Sequence, residues 1–241
     1  MFTFTIDIRF PEQIESIKAD LTKSLPHIKS SHRVEAMARS LGFKSYAALR
    51  AHDLFHHPLR TDVDWVAFRN YLEEKGFSCK AKPLFIAIGR AAVRLILEVP
   101  NIEPELTREG IGVSTLGHER ETQQEHIRRF RQARLDMLLD ASVEEFLRSY
   151  YVVSQIQHTR TITNKKGSYK LKHIAEKVSF TYPDGEVSLP NYVCSGMLIC
   201  AALHAGFWYK PTSNPHNVHF NMLQKSIEQV DQEISPQRIA S

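Results

Sequence analysis

Lys170, His173 and Glu176 bring an ammonium, an imidazole and a carboxylate to one short stretch at intervals of three residues. On a helix, 170 shares a side with 173 and 173 with 176, so the histidine could exchange a proton while its neighbours tune it. Metal-independent phosphodiester cleavage is the chemistry such a trio could serve. The same residue types at the same spacing are also ordinary pairs on an exposed helix, so no residue is assigned as catalytic on this ground.

Other reactive groups fare worse on spacing. The twelve histidines include His52 and His56 at i, i+4 and His216 and His219 in a polar stretch, but no thiol or carboxylate completes a familiar ligand set beside them. HERETQQEH, from His118 to His126, places its histidines eight apart and therefore roughly on opposite sides of a helix, which fails the zincin geometry. No metal and no cofactor are expected. Ser195 lies in Cys194-Ser195-Gly196 without a nucleophile elbow, and the apolar neighbours of Cys194 and Cys200 disfavour a thiolate. P-loop and dinucleotide-binding glycine patterns are missing from the sequence, so ATP-driven work and nicotinamide redox chemistry are disfavoured.

Charge is more informative. The 241 residues hold 31 Lys and Arg against 27 Asp and Glu, a balance that excludes both a polycation and an acidic tail. Between His158 and Lys177 stand six basic residues, Arg160, Lys165, Lys166, Lys170, Lys172 and Lys177, against the single acid Glu176, while the rest of the chain is nearly neutral. A local cationic face beside a helix start would attract phosphate oxygens by Coulomb steering, with Lys165, Lys166, Lys170 and Lys172 on the backbone and Arg160 in support. A solubilising Lys-rich turn is the bland counterpart. A second basic feature lies in His32 to His52, laid out like a helix-turn-helix with Gly42 in the turn and Lys44, Ser45 and Arg50 exposed on the second helix. That helix offers no Asn or Gln for adenine edges, so it suits phosphate better than base reading, and a plain helical hairpin explains the pattern equally well.

The elements that would carry these groups read as mainly α with short β elements, an α+β chain. Phe2, Phe4, Ile6 and Ile8 alternate with polar residues and predict a strand ended by Pro11. Apolar spacing predicts helices over 14–25, over 30–41 capped by Ser30 and Ser31, a short one opened by Lys44 or Ser45, and one capped by Asp62 that ends before Gly76. A central buried helix follows from Lys82 to Pro100. Residues 100–117 have loop composition, and 118–154 read as a solvated, salt-bridged helix pair broken near Ala141 and Ser142. β-formers over 150–163 predict a strand, 164–167 a turn, and Ser168 a cap for the next helix. A hairpin over 179–189, a close-packed helix over 193–204 ended by Gly206, a polar loop over 211–217 and an amphipathic helix from Met222 complete the pattern, with a frayed tail after Ser235. Residues 1–57 then form an N-terminal strand and helical unit, 58–157 a central helical region, and 158–241 a basic C-terminal α+β unit.

Three cysteines without a CxxC, and an N-terminus interrupted by Asp7 and Arg9, suit the cytoplasm and neither a disulfide framework nor a secretion signal. The uncharged stretch Val187 to Tyr209 contains Pro190, Asn191 and His204 and reads as buried core, so no membrane partner is expected.

Two stretches, SYKLKHIAE (168–176) and YVCSGMLICAALHAGF (192–207), together resemble a group of uncharacterised proteins carried by bacterial plasmids and other mobile elements. Leu41-Gly-Phe-Lys-Ser-Tyr46 is similar to a small helical module at the start of several bacterial proteins. Cys194-Ser195-Gly196 departs from the Ser-Asn-Gly of the group. The resemblance implies a genomic setting and no activity. Together with the charge pattern it leads to the expectation of a non-catalytic nucleic-acid-binding accessory protein of a mobile element. Two alternatives stand beside it: a protein-interaction factor, such as an inhibitor of a host defence complex, that engages its partner complex through 100–117, and a metal-independent nuclease.

Overall fold

The computed structural model describes residues 2–98, 102–113, 118, 120–162, 167–212, 214 and 216–234. Of the sequence-based expectations, the turn at 164–166, the tail after Ser235 and the ammonium groups of Lys165 and Lys166 lie outside them. The chain is 53% helical, with ten α-helices and only two-stranded antiparallel sheets among the described residues. In chain order these are β1 (Thr5–Ile8), α1 (Pro11–Ser24), α2 (Ser30–Ser40), α3 (Tyr46–Ala51), β2 (Leu59–Asp62), α4 (Trp65–Glu74), α5 (Lys82–Glu98), β3 (Leu106–Thr107), β4 (Gly110–Ile111), α6 (Gln123–Leu135), α7 (Asp140–Val153), α8 (Ser168–Ala175), β5 (Phe180–Thr181), β6 (Val187–Ser188), α9 (Ser195–His204), β7 (Tyr209–Pro211), β8 (Val218–Phe220) and α10 (Gln224–Ile234). No helix among the described residues is long and apolar enough to cross a membrane.

The chain divides into two compact units that cut across the three spans read from sequence. Met1–Leu95 joins Thr181–Ser188 in the first, and Ile96–Phe180 joins Leu189–Ser241 in the second.

In the first unit, period-two patterning does what it implies. Phe2, Phe4, Ile6 and Ile8 are all buried, and β1 pairs antiparallel with β2, Thr5 opposite Asp62 and Ile8 opposite Leu59. Asp62 is thus a strand residue, and Asp64 caps α4 by accepting from the Ala67 amide at 2.9 Å. Lys29, not a serine, precedes α2, without a side-chain cap. Phe2 packs on Phe85 with centroids 5.5 Å apart and edge-on against Tyr182 at 6.2 Å, which closes the core around the 181–188 segment. Three helices, α2, α4 and α9, end on the same dipeptide. At Gly42-Phe43, Gly76-Phe77 and Gly206-Phe207 the glycine adopts a φ near +80 to +90°, and the amides of the glycine and the phenylalanine bond back to carbonyls of the last turn.

The second unit is built around α9, which packs on α7 and α8. Its small residues Gly196, Ala201 and Ala202 are buried and permit that approach. The solvated reading of 118–154 is corrected for α7: ten of its residues, from Ser142 to Val153, are buried. The break before it falls at the 3-10 turn Asp136–Leu138, not at Ala141 and Ser142. Tyr150 to Val153 end α7 and form no strand. Their β-branched and aromatic side chains satisfy burial on a helix instead, because β propensity mostly measures fit to a packed surface. Residues 100–117 contain the β3–β4 hairpin and are not simply loop. The polar stretch 211–217 links β7 to β8, whose pairing sets Tyr209 opposite Phe220.

Candidate nucleic-acid interface

The trio that opened the sequence reading is only partly assembled. Nδ1 of His173 lies 2.6 Å from Oε2 of Glu176, within hydrogen-bond distance. Lys170 instead pairs with Asp231 of α10 at 3.2 Å. The ammonium beside Glu176 belongs to Lys172, 3.5 Å from Oε1, and the Val193 amide approaches the same oxygen at 3.5 Å. Glu176 is therefore a hub that ties α8 to the segment before α9.

α8 is held at its start by Gly167 and Ser168. Gly167 is the cap residue and Ser168 begins the helix, its buried hydroxyl accepting from the Val218 amide at 3.0 Å, so the expected serine cap serves β8 instead. The apolar face Leu171, Ile174 and Ala175 is buried, which turns Tyr169, Lys172 and His173 toward the remaining side. Tyr169 is 59% exposed and meets the His173 ring edge-on at 4.4 Å. Tyr192 is 55% exposed and has the Lys172 ammonium 4.8 Å from its ring centroid. Tyr169, His173, Glu176, Lys172 and Tyr192 thus form an unbroken chain of contacts.

The six cations of 158–177 do not behave alike. Arg160 and Lys177 are exposed, Lys170 and Lys172 are bonded to carboxylates, and Lys165 and Lys166 lie outside the described residues. The two tyrosines carried no signal in sequence. Tyr192 in particular stands 16 residues from Glu176 in an uncharged stretch and reaches α8 only through tertiary packing.

Beside Tyr192 a cleft of about 240 Å³ is lined by Arg108, Glu109, Ala133, Asp136, Cys194 and Ser195. Its floor is rigid. Buried Glu145 of α7 accepts from Arg108 Nη2 at 2.6 Å and from the Cys194 amide at 2.8 Å, Arg108 Nη1 donates to the Ser142 hydroxyl, and the Gly196 amide donates to the Arg108 carbonyl at 3.1 Å. Burial, reinforced by the Glu145 carboxylate, pushes the Cys194 thiol up to about 12, and burial raises Cys79 to about 11 and Cys200 further still. All three cysteines are free thiols held protonated near neutrality. Titration with a disulfide reagent at pH 8 should therefore show no fast native thiol and three after denaturation. A stoichiometric burst from the folded chain would contradict that placement.

In the first unit, Lys44 and Arg50 are exposed. Lys44 shares an open cleft of about 400 Å³ with Arg39, Asn70, Tyr71 and Glu74, and the Arg39 guanidinium lies 4.8 Å from the Tyr71 ring. Arg50 is on α3, whose Ser45 cap accepts from the Ala48 amide as expected. Of the histidine pairs, His52 bonds the His57 carbonyl and His56 bonds Asp53, so the two do not converge. Among the described residues no three His, Cys, Asp or Glu side chains gather as metal ligands.

No protein-family model, no curated protein and no solved structure matches this chain.

Proposed function

We propose that this chain is a non-catalytic nucleic-acid-binding protein of the cytoplasm, an accessory factor of a bacterial mobile element. The observation that carries the reading is the run of contacts Tyr169, His173, Glu176, Lys172 and Tyr192, which ends on two exposed tyrosines and adjoins the segment 158–177, where basic residues outnumber acids six to one. Exposed aromatic rings next to a basic segment suit a sugar-phosphate strand, since cations neutralise phosphate and rings accept bases. The mobile-element setting rests on the resemblance of 168–176 and 192–207. On the first unit Lys44, which shares a cleft with Arg39, and exposed Arg50 supply phosphate contacts.

Salt dependence tests the proposal. For four neutralised phosphates, affinity for a labelled oligonucleotide should fall about 50- to 150-fold between 50 and 200 mM salt. Arg160→Glu combined with Lys177→Glu should weaken binding to all sequences alike and flatten the logarithmic salt slope by about two. Retention of no single strand or duplex at low salt removes the reading.

Exposed apolar groups support a second reading, a protein-interaction factor: Leu189 is 68% and Trp208 50% exposed. A partner from lysate that survives nuclease treatment favours it. Cleavage of labelled RNA or DNA in the presence of chelator, lost in His173→Ala, would instead favour a nuclease built on the His173–Glu176 pair.

A further inference from the structure

We propose that α6 is a DNA-reading helix, whose exposed face of Gln124, Arg128 and Arg131 enters the major groove of duplex DNA and hydrogen-bonds to base edges there. The inference rests on the nucleic-acid reading and adds to it the element that reads sequence and the form of nucleic acid it takes.

None of the 13 residues of α6 is buried, so core packing explains little of its outer face. Four arginines stand on it, Arg128, Arg129, Arg131 and Arg134, against the single acid Glu125. Two of the four work inward. Arg134 Nη1 donates to the carbonyls of Pro104 at 2.7 Å and Leu106 at 2.8 Å and its Nη2 to that of Leu97, while Arg129 holds Glu121 with Nη2 at 2.7 Å and Nε at 2.9 Å. The Arg108 amide adds a bond to the Ala133 carbonyl at 3.2 Å. At the start of the helix Thr122 and Glu125 form a reciprocal capping box, the Glu125 carboxylate accepting from the Thr122 amide at 2.8 Å. Hydrogen bonds along one side therefore hold α6 in place and leave the other side bare.

Residues 124, 128 and 131 share that bare side by helical spacing, and all three are exposed. Neither Arg128 nor Arg131 forms an ion pair among the described residues, because the acids of 120–136 are taken: Glu121 by Arg129 and His126, Glu125 by Thr122, and Asp136 by Gln132 at 2.8 Å. Two guanidinium groups are thus left for an acceptor outside the chain. Any anionic surface would attract them, and their company singles out DNA. Arg pairs bidentately with guanine O6 and N7, and Gln with adenine N6 and N7, at the major-groove edge. Ile127, 40% exposed, and Leu135, 59% exposed, flank the face and suit the apolar contact that thymine methyl groups take. No acid stands among these exposed positions to repel the phosphates on either wall of the groove. The major groove of B-form DNA, about 12 Å wide, admits an α-helix, whereas the deep, narrow one of A-form RNA does not.

The experiment measures anisotropy of two fluorescein-labelled DNA hairpins on the full chain at fixed low salt, both of alternating G·C pairs, one with every guanine replaced by 7-deazaguanine. The replacement removes N7 from the major groove and leaves pairing and phosphates unchanged. Wild type should bind the natural hairpin about tenfold tighter than the deaza hairpin. Arg128→Ala combined with Arg131→Ala should bring that ratio near one, and each single substitution should lower it part of the way. Thermal melts of these variants should match wild type, since the side chains removed form no ion pair. Arg160→Glu with Lys177→Glu should weaken both hairpins alike and keep the ratio. Equal binding of the two hairpins by wild type with the salt slope intact overturns the groove proposal and leaves the nucleic-acid reading standing, as does a tenfold ratio that survives the double alanine substitution. A labelled polyglutamate peptide that outcompetes the hairpins, and is lost in the same variant, gives α6 an acidic protein partner and overturns the proposal likewise. Binding of single strands but of no hairpin overturns the groove alone, and binding of neither removes the nucleic-acid reading as well.

Discussion

Replacing Gly196 by alanine should destabilise the chain by about 3 kcal/mol or more, the upper range for overpacking a buried site. A Cβ at 196 would lie 1.8 Å from the Thr107 carbonyl oxygen and 2.8 and 2.9 Å from the carbonyl carbons of Thr107 and Arg108. All three are backbone atoms. The β3–β4 hairpin cannot slide away cheaply, because the Thr107 hydroxyl bonds the Gly112 carbonyl just past β4 and the Arg108 carbonyl is tied to the Gly196 amide. At an exposed helical position the same substitution gains about 1 kcal/mol, so even the sign is diagnostic. A fall in Tm of about 6–12 °C is expected. An unchanged or raised Tm would show that hairpin and helix do not touch as described.

Glu145→Ala is the second large effect. The carboxylate is 6% exposed and serves two donors, the Arg108 guanidinium and the buried Cys194 amide. Truncation leaves the amide and Arg108 Nη2 without their acceptor, a loss of about 3 kcal/mol at the lower end for broken buried pairs, since Arg108 keeps its bond to Ser142 and its side chain keeps 31% exposure. Glu145→Gln retains a carbonyl acceptor for the amide and should cost about half as much. Chemical denaturation of the three proteins side by side measures this, and equal midpoints for Ala and wild type would refute the role given to Glu145.

Much of the fold is legible in one dimension because it is local. The alternation from Phe2 to Ile8, the glycines that close α2 and α4, and the small residues of α9 each state their own environment. Helix α7 does not. Glu145, Arg148 and Ser149 look like a solvated face, yet Glu145 finds Arg108, Arg148 donates to the Leu189 carbonyl at 2.7 Å, and the Ser149 hydroxyl bonds the Glu145 carbonyl. Polar side chains satisfied internally mimic exposure in a pattern of polar and apolar letters. β2 was hidden for a related reason: its four residues gain a partner only in β1, more than 50 positions earlier.

The interface shows the same division. His173 and Glu176 were recognisable from helical spacing, whereas the choice between Lys170 and Lys172 depended on α10 supplying Asp231. Nothing near Tyr192 in sequence says that it meets Lys172. The cationic run is visible in sequence, and packing decides which of its members pair with carboxylates.

The first unit has one more consequence, for how the protein is made. Its aromatic core is completed by Tyr182, the Phe2 amide donates to the Thr181 carbonyl at 3.2 Å, and Asp184 accepts from the Ala81 amide at 2.9 Å. A nascent chain that has just delivered Leu95 from the ribosome therefore lacks the piece that seals it, and translation needs about 5–20 s more to supply residues 181–188. Throughout that interval Phe2 and Phe85 offer a greasy seam to any chaperone that patrols the exit tunnel.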